Sequence, residues 1–254
     1  MKLEGQAALV TGGGKGIGRA TCIALAKEGA AVAVNYSRSE AEADDVVRVI
    51  EAMGGKAFAI KADVRDEAEV RMMVAATVTK FGRLDILVNN AGWTRRTPHD
   101  QLDLLTEELL DRTINTNLKG PLYCIRAAVP HMRKVGGGLV VNITSVAGMN
   151  GNGSSIIYGG AKAALAVMSK SLARALAPDI RVNCVAPGFV DTGFVMPPGG
   201  DAATNASKRV HSKGIMTPED IAGAVLFFAT EGDRLTAEEI VVDGGIMKLG
   251  ARVQ

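Results

Sequence analysis

Tyr158 and Lys162 lie four residues apart in a segment with helical spacing, so they share one face, one turn apart. An ammonium beside a phenol favours the phenolate and draws the tyrosine pKa toward working pH. There the hydroxyl can exchange a proton with a substrate oxygen. Ser145, thirteen residues earlier at the end of a strand-like run, can donate to that same oxygen. Any Tyr-x-x-x-Lys is common by itself. Its weight here comes from Ser145 and from the turn Thr11-Gly12-Gly13-Gly14-Lys15-Gly16-Ile17-Gly18. Glycines between a strand and a helix allow a tight turn and let a pyrophosphate approach backbone N–H groups at the positive helix end. The spacing, Gly-x-x-x-Gly-x-Gly, departs from the commoner dinucleotide fingerprint.

These groups need strand ends and helix starts to hold them. Strand-like runs fall at 7–11, 31–36, 56–62, 86–90, 139–144, 181–186 and 240–242. Helical patterns fall between them at 16–28, 40–53, 67–81, 106–133, 155–177 and 218–230. Near-continuous apolar strands alternating with helices predict a parallel sheet covered on both faces. Ser39 before Glu40, and Thr217-Pro218-Glu219, are helix N-terminus signals; Gly54-Gly55 ends a helix. One stretch, about 188–216, breaks the alternation with Gly, Pro, Asn and Ser, and reads as a long binding loop that contacts substrate. A disordered insertion is the plainer reading of it.

With 254 residues, 47% hydrophobic and 22% charged, the chain suits one domain over its whole length, 1–254. A net charge of +2 without a basic block argues against a nucleic-acid partner. Cys22, Cys124 and Cys184 lack metal or disulfide spacing, so no metal is expected and a reduced compartment is. No signal peptide or membrane-length apolar run is visible, which makes a cytoplasmic protein without membrane attachment the default.

Five motifs in one order resemble the short-chain dehydrogenase/reductase family: the Thr11–Gly18 turn, Asn89-Asn90-Ala91-Gly92, Asn117 within Asn115-Thr116-Asn117, Ser145 with Tyr158 and Lys162, and Pro187-Gly188. The resemblance covers nearly the whole chain. It implies a doubly wound Rossmann-type α/β domain, with seven parallel strands in order 3-2-1-4-5-6-7. It also implies an oxidoreductase that interconverts a carbonyl and a secondary alcohol by hydride transfer. Tyr158 would be the acid/base, Lys162 would depress its pKa and hold the ribose, Ser145 would bind the carbonyl oxygen, and Asn117 would hold a relay water. Gly12, Lys15, Gly16, Ile17 and Gly18 would cradle the cofactor phosphates. Asp63 and Val64 would meet the adenine, although an Asp there also reads as a helix cap. Asn90, Ala91 and Gly92 would lie beside the ribose, and Pro187, Gly188, Val190 and Thr192 would hold the nicotinamide.

Two stretches depart from the family pattern. Gly160-Ala161 replaces a frequent Ala-Ser before Lys162, and Leu235-Thr236-Ala237-Glu238-Glu239 replaces a frequent Thr-Gly-Gln. The second puts subunit contacts in doubt more than chemistry.

The end of the second strand, Val34-Asn35-Tyr36-Ser37-Arg38, carries no carboxylate to grip ribose hydroxyls. Tyr36, Ser37, Arg38 and Lys15 therefore predict NADP(H) over NAD(H), the alternative being that Arg38 is a solvated loop charge. The overall pattern resembles the 3-oxoacyl-thioester reductase branch of the family. Arg133, Lys134 and Arg174 are candidates for a basic carrier-docking face, and equally for cations at helix ends. Trp93-Thr94-Arg95-Arg96 beside the expected mouth would favour a small carboxylate-bearing substrate instead. The alternatives are a dehydrogenase of a small alcohol, sugar or hydroxy acid, and a catalytically silent dinucleotide sensor, which would be expected to lose Tyr158 or Lys162. Helices at 106–133 and 155–177 resemble the family's dimer helices and imply a homotetramer.

Overall fold

Runs of β-branched and small apolar residues too short for helices form the strands β1 (Ala7–Val10), β2 (Ala31–Tyr36), β3 (Ala57–Lys61), β4 (Ile86–Asn89), β5 (Gly138–Ile143), β6 (Ile180–Pro187) and β7 (Glu239–Val242). In the computed structural model they pair in parallel as one seven-stranded sheet, ordered β3-β2-β1-β4-β5-β6-β7. The structure describes residues 1–194, 201–212 and 214–252. The helices are α1 (Gly16–Lys27), α2 (Glu40–Ala52), α3 (Glu67–Phe81), α4 (Glu107–Ile114), α5 (Gly120–Lys134), α6 (Ala147–Asn150), α7 (Ile156–Leu176), α8 (Asp201–Arg209), α9 (Pro218–Thr230) and α10 (Ile246–Leu249).

The strand period of two divides the core cleanly. Val10, Val34, Val88 and Val141 pack under α1, α2 and α9, with Leu25, Ile50, Val225 and Phe228. Leu9, Ala33, Leu87 and Val140 point the other way, against α3, α5 and α7, with Met73, Ile125, Met132 and Ala173. The strands β1, β2, β4 and β5 are thus apolar on both faces, which is why their runs read as continuous rather than alternating. The expected order 3-2-1-4-5-6-7 is therefore present, with helices on both faces. The reversal between β1 and β4 opens a crevice at the strands' carboxyl ends.

Three local expectations needed correction. The span 106–133 is not one α-helix: residues Asn115–Lys119 form a π-helical turn between α4 and α5. That turn widens the helix at Asn117, and such insertions often mark functional sites. The stretch 188–216 is not all loop, because its alanines and its last-turn Lys208 and Arg209 support α8. Residues 195–200 and 213 of that stretch lie outside the described residues. Ser39 sits at the N-cap of α2 but makes no side-chain cap bond. Thr217 does cap α9, in a reciprocal capping box with Asp220 and with Pro218 in the first turn.

Candidate active site

The crevice is a cleft of about 1300 Å³ that runs from the end of β2 to the start of α7. One end is built from the glycine turn. Gly12 has φ +62°, and a Cβ on Gly18 would stand 2.2 Å from the Gly12 carbonyl oxygen, so no side chain fits there. The turn is held from two sides. Asn35 accepts from the Gly12 N–H at 3.1 Å and donates to the Ala62 carbonyl at 3.0 Å. Asn90 donates to the carbonyls of Thr11 and Gly12, at 2.9 and 3.0 Å. Lys15, the N-cap of α1, offers no side-chain cap. The first N–H groups of α1 thus lack a side-chain partner at a positive helix end lining the cleft, a cradle for a pyrophosphate.

Beyond this cradle, Tyr36, Ser37 and Arg38 line the cleft at the end of β2, and Asp63 and Val64 at the end of β3. Asp63 is paired with Arg65, whose guanidinium holds its carboxyl below the usual range. Arg112, on α4, lies over the Trp93 ring, 4.3 Å from its centre. Its pKa is lowered by burial and then by the nearby guanidiniums of Arg38 and Arg65. Three cations brought together here favour an anion between them. Lys15 lines the cleft too, and its ammonium is paired with the exposed Glu42 at 2.6 Å.

At the other end, Ser155 caps α7 by accepting from the Tyr158 N–H at 3.3 Å, and this fixes where the helix begins. Tyr158 and Lys162 then project from one face toward Ser145, just beyond β5. Lys162 is buried, and its ammonium donates to the Ile143 carbonyl at 2.7 Å. Burial lowers its pKa to about 8. Tyr158 shifts the other way: burial raises its pKa to about 12, against a smaller lowering by the neighbouring Ser145 hydroxyl. The expectation that Lys162 depresses the tyrosine pKa is thus not met in this state. Desolvation dominates, and one of the three ammonium donors goes to the backbone.

Asn117 is fully buried and does not line the cleft. Its amide donates to the carbonyls of Trp93 at 2.7 Å and Thr113 at 2.9 Å, and accepts from the Trp93 N–H at 3.3 Å. The side chain braces the segment after Gly92. Gly16, Ile17, Asn90, Ala91, Gly92, Pro187, Gly188, Val190 and Thr192 all line the cleft, while Gly18 stands behind it. Thr192 packs on Gly16, and the Phe194 ring lies 6.2 Å from that of Tyr158.

Sequence reading missed Asn35, Arg65, Arg112, His99, Phe194 and Arg209, which hold or line the cleft. Only Asn35 carried a local signal, an amide inside an apolar strand. Arg133 and Lys134 close α5, and Arg174 lies in the last turn of α7. Both helix ends lead into strand starts, so these cations sit at the sheet end opposite the cleft. Arg133 is also paired with Asp179 at 3.2 Å. Among the described residues no group of His, Cys, Asp or Glu is placed to hold a metal ion, and no helix is long and apolar enough to cross a membrane.

Residues 6–201 match the family model described as short chain dehydrogenase. The chain belongs to the short-chain dehydrogenase/reductase family. It is 43% identical to an uncharacterised oxidoreductase of Methylorubrum extorquens, covering 96% of this chain and 99% of that one. It is 39% identical to a 3-oxoacyl-[acyl-carrier-protein] reductase of Synechocystis, over 96% and 98% of the two chains. Among solved structures it resembles a Burkholderia cenocepacia short-chain dehydrogenase in complex with NADP, with a TM-score of 0.89 and 37% identity, over 96% and 98% of the chains. As a short-chain dehydrogenase/reductase the chain is an oxidoreductase, and the glycine cradle and cleft fit its nicotinamide dinucleotide cofactor.

Proposed function

We propose that this enzyme interconverts a carbonyl and a secondary alcohol with NADP(H), and that Tyr158 exchanges the proton with the substrate oxygen. The observation that carries the reading is the convergence of Tyr158, Ser145 and the buried Lys162 at one end of the cleft. The bound nicotinamide supplies or takes up the hydride. The chain's own residues handle the oxygen. Ser145 donates to the carbonyl oxygen and holds it beside the phenol. Tyr158, a neutral phenol at pH 7, delivers the proton as the alcohol forms. The Lys162 ammonium offsets the phenolate charge left behind, and Asn117 keeps the neighbouring Trp93 segment in place. Loss of turnover in Tyr158→Phe, with cofactor binding retained, tests this assignment.

The preference for NADP(H) is supported by Ser37 and Arg38 at an acid-free strand end, and by the clustering of Arg38, Arg65 and Arg112. Val190 and Thr192 line the part of the cleft assigned to the nicotinamide, and Asp63 and Val64 the part assigned to the adenine.

For substrate, the reading is a 3-oxoacyl thioester, supported by the likeness to the Synechocystis reductase. A second reading has an observation of its own: Arg96, His99 and Arg209 line the same cleft. The two arginine cations there favour a small carbonyl compound bearing a carboxylate. Turnover of an acetoacetyl thioester against small oxo acids and neutral ketones, all with NADPH, decides between them. A symmetric homotetramer completes the proposal, supported by apolar Val167, 64% exposed on α7.

A further inference from the structure

Three buried polar side chains cross the sheet beneath the cleft. Asn89, the last residue of β4, donates to Asn142 on β5 at 2.8 Å. Asn142 donates to Ser169 on α7 at 2.8 Å, and Ser169 donates to the Leu165 carbonyl at 2.7 Å. All of these side chains are at most 3% exposed.

This chain is not arranged for stability alone. Asn89 Oδ1 is buried without a partner among the described residues. Burying polar side chains costs free energy that apolar residues of the same shape would avoid. What the chain joins is the machinery described above. Asn89 precedes Asn90, which holds the glycine turn. Asn142 precedes Ile143, which anchors Lys162, and lies three residues before Ser145. Ser169 follows Lys162 by two helical turns on α7.

Resting on the proposed reaction, we infer that Asn142 and Ser169 are positioning residues. Their hydrogen bond sets the height of α7 along β5, and with it the distance from Tyr158 to Ser145. An apolar contact would let the helix slide, whereas a hydrogen bond of fixed length does not. Small misplacements at a reacting centre are costly, about a hundredfold in rate for 1 Å.

The test compares Ser169→Thr, which keeps the hydroxyl, with Ser169→Val, which has the same shape without it. NADPH binding is followed by fluorescence, and kcat is measured per folded enzyme on a carbonyl compound that the unmodified enzyme reduces. The Thr variant is expected to stay within about twofold of the unmodified enzyme. The Val variant is expected to lose at least about tenfold in kcat, with KM for NADPH and cofactor affinity unchanged. Equal kcat in the two variants would overturn the inference, as would a fall in Val that appears only in cofactor affinity. If Ser169→Val does not fold, Ser169→Ala takes its place under the same criteria. An unmodified enzyme that binds NADPH but reduces no carbonyl compound overturns the proposed reaction instead, and the inference with it.

Discussion

The ammonium of Lys162 stands 5.7 Å from the centre of the Tyr158 ring, with its hydrogen bond given to the Ile143 carbonyl. The two groups are driven in opposite directions by the same cause. Burial raises the phenol to about 12 and lowers the ammonium to about 8. Each is pushed toward its neutral form, as expected where charges are held out of water.

Replacing Tyr158 by Phe removes the proton donor and little else. Turnover should fall by about a hundred- to ten-thousand-fold, while NADPH titration stays close to that of the unmodified enzyme. Substantial residual turnover would remove Tyr158 from the reaction.

The lysine predicts the pH profile. Below about pH 8 the Lys162 ammonium is present to offset a forming phenolate; above it, that charge is lost. For the reduction direction, kcat/KM, which reports the free enzyme, should decline as pH rises past about 8. A profile flat to pH 10 would contradict this role.

The same shift makes Lys162 a stability cost. Its folded pKa lies below the ordinary 10.5, so the unfolded chain binds more protons between about 8 and 10.5. Stability of the unmodified enzyme should therefore rise with pH across that window. Lys162→Met should be about 2–3 kcal/mol more stable at pH 7, allowing for the lost bond to Ile143. The gain should shrink toward pH 10.5, and turnover should be lost. Urea unfolding at several pH values checks the sign.

Arg38 is exposed at the end of β2, beside Arg112. Arg38→Asp should weaken NADPH about ten- to a hundredfold, the worth of a charge-assisted hydrogen bond, while changing NADH little. Tighter binding of NADH than NADPH by the unmodified enzyme would refute the cofactor preference outright.

Ala237 has φ +64° in an exposed turn, pinned by its N–H bond to the Val182 carbonyl at 2.9 Å. A side chain in that region costs about 1–2 kcal/mol, part of which glycine returns through greater freedom when unfolded. Ala237→Gly should therefore stabilise by about 0.5–1 kcal/mol, raising Tm by roughly 1–3 °C. A lower Tm would show that the turn is not strained.

What the sequence determined by itself was whatever has a local cause. Strand and helix alternation, the glycine turn, and the pairing of Tyr158 with Lys162 follow from periodicity and spacing, and the sheet order followed from a family resemblance built on those same motifs. What tertiary structure decided were relations between distant segments. Ser145 and Tyr158 meet because β5 and α7 pack; Arg112 on α4 meets Arg38 and Arg65 from the loops after β2 and β3; Asn142 meets Ser169 through the core. The sense of the tyrosine shift also had to wait. Spacing placed a cation one turn away, but only burial, and the carbonyl of Ile143 that claims the ammonium, showed that desolvation outweighs that charge.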